Sequence, residues 1–484
     1  MTTDSADLGL IGLAVMGQNL VLNMADHGYR VAVYNRTNER TDEFMAGPAA
    51  DTDVVGTHSI EELVGALHKP RKVMLMIKAG DAVDAVIDQL LPLLEPGDVI
   101  IDGGNSLFTD SRRRAEMLES KGFLYVGTGI SGGEEGARHG PSLMPGGTPQ
   151  AWPLVRDIFQ GIAAKLDDGT PCCDWVGSDG AGHYVKMVHN GIEYGDMQLI
   201  AEAYHMMSVG LGLSHEEMHQ IFSKWNDGVL DSYLVEITAD IMAHRTDGEP
   251  TLEKILDAAG QKGTGKWTVI SSMELGSPTT LVAEAVYARI MSAMKEARVS
   301  ASARLDGPSG AIEGDRDEVV SDLGDATYAA KIMSYTQGFL QMREAATEYG
   351  WDLDFGSIAT MWRGGTIIRS VFLENIRNAY RTDPALDNLL SDAFFHKAVE
   401  KAQPGWRRTI TRAIESGIPV PAYATALFFY DAIRTARLPA NLIQAQRDYF
   451  GAHTYERIDS ERGEFFHTNW TGTGGDTTAG SYSA

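Results

Sequence analysis

The sequence predicts an α/β domain with a doubly wound, mainly parallel sheet, followed by a large all-helical domain and an extended C-terminal tail. Three observations predict this arrangement. Strand and helix patterns alternate up to about residue 179, helical periodicity dominates from there to about residue 437, and the chain ends in a stretch rich in Gly, Thr and Ser. At 484 residues the chain is longer than one core usually supports. We therefore expect domains at residues 1–179, 180–437 and 438–484.

The N-terminal part contains short apolar or β-branched runs separated by helical stretches. The predicted strands are Leu8–Ile11, Arg30–Asn35, Val73–Ile77 and Val99–Asp102. Helical patterns between them include Gln18–Asp26 and Asp81–Leu91. Such an alternation is typical of a parallel sheet with helices on both faces.

The helical part contains an internal repeat. Lys186, Met197, Ala201 and Tyr204 align at a constant offset with a second set of residues, namely Lys331, Met342, Ala346 and Tyr349. After small changes of length, Trp225, Gly228, Ser232 and Glu236 align in the same way with Trp362, Gly365, Ser370 and Glu374. The pattern predicts a duplicated helical unit.

The tail differs from both preceding parts. It combines Arg447 and His453 with several aromatic residues up to Trp470, and then becomes polar from Thr471 to Ala484. Such a tail is too polar to form a core alone, and a disordered terminus is one interpretation. The density of aromatic residues before Trp470 instead favours docking of that section on another surface.

Composition and charge exclude several classes of protein. The net charge of −25 argues against a nucleic-acid partner, because phosphate binding needs clustered Lys and Arg. No apolar run is long enough to span a bilayer, and Met1–Asp7 lacks the basic and apolar regions of a signal peptide. The only cysteines, Cys172 and Cys173, are adjacent, which together with these features favours a cytoplasmic location. The thirteen histidines are scattered without metal-ligand spacing, so no metal is expected.

A phosphate-binding turn follows the first predicted strand. Gly12-Leu13-Ala14-Val15-Met16-Gly17 has the spacing of the dinucleotide turn, with Ala in place of the middle Gly, and it opens a helix. Small residues allow the backbone to approach a pyrophosphate, whose charge is favoured at a helix N-terminus. This position predicts a Rossmann-like cofactor domain.

The end of the second strand predicts which dinucleotide binds. An NAD enzyme usually carries an acidic residue there, whereas this chain reads Tyr34-Asn35-Arg36-Thr37. Arg36 is suited to bind a 2′-phosphate through charge-assisted hydrogen bonds, although such a residue can also be an ordinary surface arginine. We expect NADP.

One helix carries a stripe of polar residues suited to catalysis. At about 100° per residue, Lys186, His189, Asn190, Glu193 and Tyr194 share one broad face. Lys186 and Glu193 lie two turns apart, roughly 10 Å along the axis, so they can address different carbons of one extended substrate. A solvated helix face is the alternative, but the second repeat lacks the stripe.

Taken together, these motifs closely resemble the 6-phosphogluconate dehydrogenase family over essentially the whole chain. The matching segments are Gly12–Gly17, Asn35–Thr37, Ile77–Gly80, Asp102–Ser106, Ser131–Arg138, Lys186–Gln198, Gln261–Trp267 and Ala445–Thr454. The first two alone fit many hydroxyacid dehydrogenases. At the extreme C-terminus, Thr477–Gly480 stands where relatives often have a serine run, and we assign no cofactor role there.

The resemblance implies an activity and a set of site residues. The activity is NADP-dependent oxidative decarboxylation of 6-phosphogluconate to ribulose 5-phosphate and carbon dioxide, in the pentose phosphate pathway and gluconate utilization. Lys186 is the implied general base and Glu193 the implied general acid. The implied cofactor residues are Gly12, Leu13, Ala14, Val15, Met16, Gly17, Asn35, Arg36, Thr37, Ile77, Lys78, Ala79 and Asn105. The implied substrate residues are Asn105, Ser131, Gly132, Gly133, His189, Asn190, Tyr194, Lys262, Arg289, Arg447 and His453. A homodimer is also implied, in which the tail enters the other subunit.

The residue types suit this chemistry, with two alternatives left open. A catalytic lysine must be neutral, so we expect the pKa of Lys186 to be lowered by burial or by a neighbouring cation such as Lys262. A related 3-hydroxyacid dehydrogenase uses a similar turn and lysine, but does not need the repeat or the Arg447 tail. A non-catalytic NADP sensor is the other alternative.

Overall fold

A computed structural model describes residues 5–474, 478 and 479. Thr477 and Gly480 of the C-terminal segment compared above lie outside the described residues. The chain divides into two compact units, Met1–Ala426 and Leu427–Ala484. The finer boundaries at residues 179 and 437 stay a prediction.

The first unit begins with an eight-stranded sheet. In chain order its strands are β1 (Leu8–Ile11), β2 (Val31–Tyr34), β3 (Val55–Thr57), β4 (Lys72–Leu75), β5 (Val99–Asp102), β6 (Leu124–Ser131), β7 (Ser142–Gly147) and β8 (Gly177–Ser178). Their order in the sheet is β3-β2-β1-β4-β5-β6-β7-β8, and all neighbours are parallel except β6 and β7. The order reverses between β1 and β4, which is where doubly wound sheets bind ligands at the carboxyl ends of their strands.

Helices cover both faces of this sheet, as the alternating pattern predicts. They are α1 (Val15–Asp26), α2 (Asn38–Ala46), α3 (Ile60–Gly65), α4 (Asp81–Leu90), α5 (Phe108–Glu119), α6 (Gly133–His139) and α7 (Trp152–Ile162). Leu20 of α1 and Val155 of α7 belong to one apolar cluster. Ile87 of α4 and Leu118 of α5 belong to another.

The predicted strand ends differ slightly from the observed ones. The pattern places Ile77 in a strand, but β4 ends at Leu75, because the chain leaves the ladder after its last partner, Asp102 of β5. Ile77 therefore lies on the turn that leads into α4. The antiparallel strand β7 has no separate prediction from the sequence.

The remaining helices extend to the second unit. They are α8 (Ala181–His205), α9 (His215–Asn226), α10 (Tyr233–Ala243), α11 (Thr264–Glu274), α12 (Thr280–Ala293), α13 (Lys295–Ser302), α14 (Arg316–Tyr349), α15 (Phe355–Trp362), α16 (Leu373–Thr382), α17 (Ala393–Ser416), α18 (Pro421–Ile433) and α19 (Ala440–Gly451). Two short hairpins pair β9 (Arg245–Thr246) with β10 (Glu249–Pro250), and β11 (Tyr455–Glu456) with β12 (Phe465–Phe466). A search of the described residues finds no helix long and apolar enough to cross a membrane.

The repeat seen in the sequence corresponds to two sets of three helices. The first is α8, α9 and α10, and the second is α14, α15 and α16. The long helices α8 and α14 pack closely, since a Cβ on Gly338 would lie 2.6 Å from Ile192 Cδ1. The equivalent serines Ser232 and Ser370 pair with each other in an isolated antiparallel bridge.

Candidate active site

A large cavity lies over the carboxyl ends of the central strands. Its volume is about 780 Å³. The predicted cofactor residues that line it are Gly12, Ala14, Val15, Met16, Gly17, Asn35, Arg36, Thr37, Ile77, Lys78 and Asn105. Leu13 and Ala79, which were predicted with them, do not line it. Cofactor contacts of all these residues stay a prediction.

The turn between β1 and α1 is shaped by two glycines. Gly12 has a φ of +110°, and a Cβ there would lie 2.4 Å from the carbonyl oxygen of Met76. A Cβ on Gly17 would lie 2.0 Å from the carbonyl oxygen of Gly12. Both positions therefore exclude a side chain, and the turn offers its backbone to the cavity at the N-terminus of α1. This shape fits a pyrophosphate.

Polar groups at the end of β2 adjoin the turn. Asn35 accepts a hydrogen bond from the backbone N–H of Leu13 (3.1 Å) and donates one to the carbonyl of Thr37 (3.0 Å). Leu13 thus contributes to the site through its backbone, although its side chain is buried. Arg36 is exposed and lines the cavity. Sequence reasoning missed a further lining cation, Arg40, which lies on the first turn of α2.

Lys186 lies on α8 at the point where this helix packs on β6. Its side chain is buried, and a Cβ on Gly129 of β6 would lie 2.2 Å from Lys186 Cβ. Burial lowers the pKa of Lys186 to about 8, and the nearby Glu193 opposes this shift. Of the two causes expected from the sequence, burial and a cation such as Lys262, burial accounts for the shift.

A chain of hydrogen bonds runs beside Lys186. Ser131 Oγ lies 3.1 Å from His189 Nε2, His189 Nδ1 lies 3.0 Å from Asn190 Oδ1, and Asn190 Nδ2 donates to Thr264 Oγ1 at 3.0 Å. Burial, reinforced by the charge of Lys186, holds the pKa of His189 well below its usual value, so the ring is neutral.

Neutrality of the ring fixes the direction of these bonds. A neutral imidazole has one donor, and Asn190 Oδ1 is an acceptor, so His189 donates through Nδ1 and accepts from Ser131 at Nε2. Lys186 Nζ lies 3.4 Å from the same Nδ1. Because Nδ1 carries a proton, it cannot accept a hydrogen bond from the ammonium form of Lys186. The arrangement favours the neutral amine of Lys186, the form that a general base requires.

Glu193 and Tyr194 lie further along the stripe. Burial raises the pKa of Glu193, which favours the protonated acid. The Arg289 guanidinium stacks on Tyr194, with Cζ 3.5 Å from the ring centroid. Burial lowers the pKa of Arg289. The predicted acid and base therefore lie on one buried helix, next to a half-buried cation.

The other predicted substrate residues lie on loops and in the second unit. Ser131 ends β6 and leads into Gly132 and Gly133, both with positive φ, while the exposed Lys262 precedes α11. In the second unit, Arg447 of α19 donates to Gln444 Oε1 (3.0 Å), and His453 forms a bridge with Ala479. Substrate contacts of these residues stay a prediction. Within the described part of the chain, no group of three or more His, Cys, Asp or Glu residues is arranged to hold a metal ion.

These features define a class of protein: a dinucleotide-type cavity in a doubly wound sheet, adjoined by a buried lysine and carboxyl pair on a helical domain. Two family models match this chain. Residues 7–177 match the NAD binding domain of 6-phosphogluconate dehydrogenase, and residues 182–470 match the 6-phosphogluconate dehydrogenase C-terminal domain. The chain therefore belongs to the 6-phosphogluconate dehydrogenase family.

Individual relatives agree over the full length. The decarboxylating 6-phosphogluconate dehydrogenase of Cunninghamella elegans is 61% identical over 99% of both chains, and that of Homo sapiens is 58% identical with the same coverage. The solved Plasmodium falciparum 6-phosphogluconate dehydrogenase, studied in apo form and in complex with NADP+ and with 6-phosphogluconate, is 44% identical. Its TM-score is 0.92, over 96% of this chain and 100% of that one.

Proposed function

We propose that this protein oxidatively decarboxylates 6-phospho-D-gluconate to D-ribulose 5-phosphate and carbon dioxide, with reduction of NADP+ to NADPH. The observation that carries the proposal is Lys186, a buried lysine whose pKa is lowered to about 8 and which packs on Gly129, the residue before the cavity-lining Ile130. The names of its full-length relatives support the substrate and the decarboxylation. The alternative, a 3-hydroxyacid dehydrogenase, is only a distant relation. The reaction belongs to the oxidative pentose phosphate pathway and to gluconate utilization.

The protein's own groups provide the proton transfers. NADP+, when bound, supplies the hydride acceptor for C3 of the sugar acid. Lys186 takes the proton of the C3 hydroxyl, and the ketone formed lies β to the carboxylate, so it can accept the electron pair released when carbon dioxide leaves. Glu193 then gives a proton to C1 of the ribulose enediol, a role for which its raised pKa suits it. His189 and Asn190 hold the substrate beside Lys186.

The cavity fits NADP. The glycine turn leaves room for the pyrophosphate, and Arg36 with Arg40 provides positive charge at the end of β2, where an NAD enzyme usually has a carboxylate. Arg36→Ala is expected to weaken NADP+ binding by roughly 10- to 100-fold, the scale of one charge-assisted hydrogen bond, and to leave NAD+ nearly unaffected. Titration calorimetry with both dinucleotides measures this, and an equal loss for both contradicts the assignment.

We also propose a cytoplasmic homodimer whose active sites are completed by the partner's tail. In the first unit α12 exposes Tyr287, Ile290 and Met291, and such apolar patches are typical of protein interfaces. In the second unit Arg447 and His453 are suited to an anionic substrate but lie outside the helical repeat. Arg447 would then bind the substrate phosphate of the other subunit.

Two experiments test these proposals. NADPH and carbon dioxide release from 6-phosphogluconate tests the activity, and binding without turnover would instead indicate a sensor. Lys186→Ala and Arg447→Ala homodimers are each expected to be nearly inactive. Refolded together, they form mixed dimers in which one site is intact, so part of the activity returns. Verified mixed dimers as inactive as their parents would show that Arg447 acts within its own chain.

A further inference from the structure

Arg114 of α5 is a fully buried arginine beneath the cavity that the proposed mechanism does not use. Its side chain has 0% exposure, and all of its nitrogens donate hydrogen bonds. Nε and Nη2 bind the two oxygens of Asp84 of α4 at 2.8 and 3.1 Å. Nη2 also donates to the carbonyl of Gly80 (3.1 Å), and Nη1 donates to Asp102 Oδ2 (3.1 Å). A buried charge is tolerated only when it is paired in this way.

The partners of Arg114 come from α4, from the turn that precedes α4, and from the end of β5. Gly80 ends the turn between β4 and α4, with a φ of +92°. Asp102 ends β5, and its Oδ1 accepts from the backbone N–H of Gly104 (3.1 Å) while Oδ2 accepts from Ser106 Oγ (2.7 Å). One guanidinium therefore connects the Ile77–Gly80 turn with the Gly103–Asn105 turn.

Both turns form a wall of the cofactor cavity. Ile77 and Lys78 line it from the first turn, and Gly103, Gly104 and Asn105 line it from the second. The turns approach so closely that a Cβ on Gly104 would lie 3.1 Å from the carbonyl oxygen of Ile77. The two turns thus pack on each other, and their relative position sets the shape of this wall.

The position of this wall indicates which part of the dinucleotide it would face. The 2′-phosphate is assigned to Arg36 at the end of β2, and the pyrophosphate to the glycine turn after β1. Because a dinucleotide lies across the point where the strand order reverses, its other half extends over β4 and β5. Lys186 packs against β6, which follows β4 and β5 in the sheet, so it lies towards the same half of the dinucleotide.

We propose that Arg114 is a positioning residue for hydride transfer. By joining Asp84 and Gly80 to Asp102, it fixes the relative position of the two turns that hold the nicotinamide half of NADP. The assignment rests on the proposed function. Arg114 touches neither dinucleotide nor substrate, and it acts through the backbone of the two turns. Its planar fork is required because an ammonium cannot bind Asp84 through two parallel bonds and reach Gly80 and Asp102 as well.

The test uses Arg114→Lys in the full-length protein, with two kinds of readout. Binding of 2′,5′-ADP, a fragment that carries only the 2′-phosphate half, is expected to stay within about twofold of wild type. Turnover is expected to fall about 10- to 100-fold, the effect of misplacing reacting groups by roughly 1 Å. The deuterium isotope effect on kcat with C3-deuterated 6-phosphogluconate should increase, because hydride transfer becomes slower than the other steps. Wild-type NADPH formation in the same assay tests the proposed function separately.

Arg71→Lys is the matched control. Arg71 forms the corresponding ion pair at the opposite ends of the same strands, with Nη1 3.0 Å from Asp98 Oδ2 and side-chain exposures of 15% and 3%. It does not line the cavity, so both readouts are expected to stay at wild-type values. If Arg114→Lys does not fold, Asp84→Asn replaces it, because Asp84 is 31% exposed and its loss removes the same connection to α4. Unchanged turnover and isotope effect in the folded variant, or an equal loss of 2′,5′-ADP binding, would overturn the proposal.

Discussion

The two copies of the helical repeat place equivalent lysines in opposite electrostatic surroundings. In the second copy, Lys331 Nζ lies 3.2 Å from Asp196 Oδ2, and both side chains are buried. In the first copy, Lys186 is equally buried, but it contacts the neutral ring of His189 and forms no ion pair among the described residues. The charge of Lys331 is balanced by an ion-pair partner, whereas Lys186 has no such partner and its pKa is lowered.

The residues around each lysine explain this difference. The positions of His189, Asn190 and Glu193 in the first copy are taken by Ser334, Tyr335 and Gly338 in the second. Tyr335 donates to the carbonyl of Ile368 (2.7 Å), and Gly338 allows α8 to pack closely. The same helical scaffold therefore surrounds the proposed base Lys186 with polar groups in one copy and holds the Lys331–Asp196 ion pair with the other. The comparison teaches that a buried lysine without an ion-pair partner, and not lysine itself, distinguishes the copy to which we assign catalysis.

Removal of Lys186 tests the catalytic side of this comparison and has the largest expected effect. Lys186→Ala should lower turnover by at least about 10²-fold, the usual scale for a positioned general base. NADP+ binding, followed by calorimetry, should survive because Lys186 does not line the cofactor cavity. Near-normal turnover would contradict the mechanism. Glu193→Gln tests the proposed acid in the same way, since it should impair protonation of the enediol more than hydride transfer.

Removal of Lys331 should affect stability instead. Lys331→Ala leaves Asp196 buried without its partner, which costs about 3–5 kcal/mol of unfolding free energy. Denaturant unfolding measures this loss, and turnover per folded molecule should stay within about threefold of wild type. The double variant Lys331→Met with Asp196→Leu removes both charges and should recover most of the stability. A large loss of turnover with unchanged stability would show that the copies are not specialised as described.

The polar stripe on α8 could be predicted from the sequence, but the contacts that bury it could not. Periodicity is enough to group Lys186, His189 and Glu193 on one face, because helix geometry is local. The close approach of Gly129 to Lys186 is not local, since β6 and α8 are far apart in the chain and no spacing rule connects them. The same holds for Arg114, whose partners come from three elements. The ion pair of Lys331 with Asp196 joins the two repeats, so the sequence of one repeat alone does not indicate it.

The pH dependence of activity should distinguish the role of Lys186 from that of Lys331. Because burial lowers the pKa of Lys186 to about 8, the neutral base is lost as pH falls below that value. We expect kcat/KM to rise about tenfold per pH unit from about pH 6 until it levels off near pH 8. Lys331→Arg should leave this limb unchanged, because Lys331 takes no part in proton transfer. A flat profile across this range in wild type would show that no group with such a pKa controls the reaction.

The smallest effect is expected from the removal of a single hydroxyl group in the second copy. Tyr335 occupies the position of Asn190, but its OH bonds the carbonyl of Ile368 at 2.7 Å and Asp196 Oδ2 at 3.4 Å, so it supports the ion pair and not the reaction. Tyr335→Phe keeps the ring and removes these bonds, which should cost about 1–3 kcal/mol of stability, because the buried carbonyl is left unpaired. Turnover should not change. Asn190→Ala is the matched variant, since it removes the acceptor of His189 Nδ1 and allows the ring to change tautomer. It should lower turnover with little effect on unfolding. If the two variants showed the same pattern in both measurements, the division of labour between α8 and α14 would be wrong.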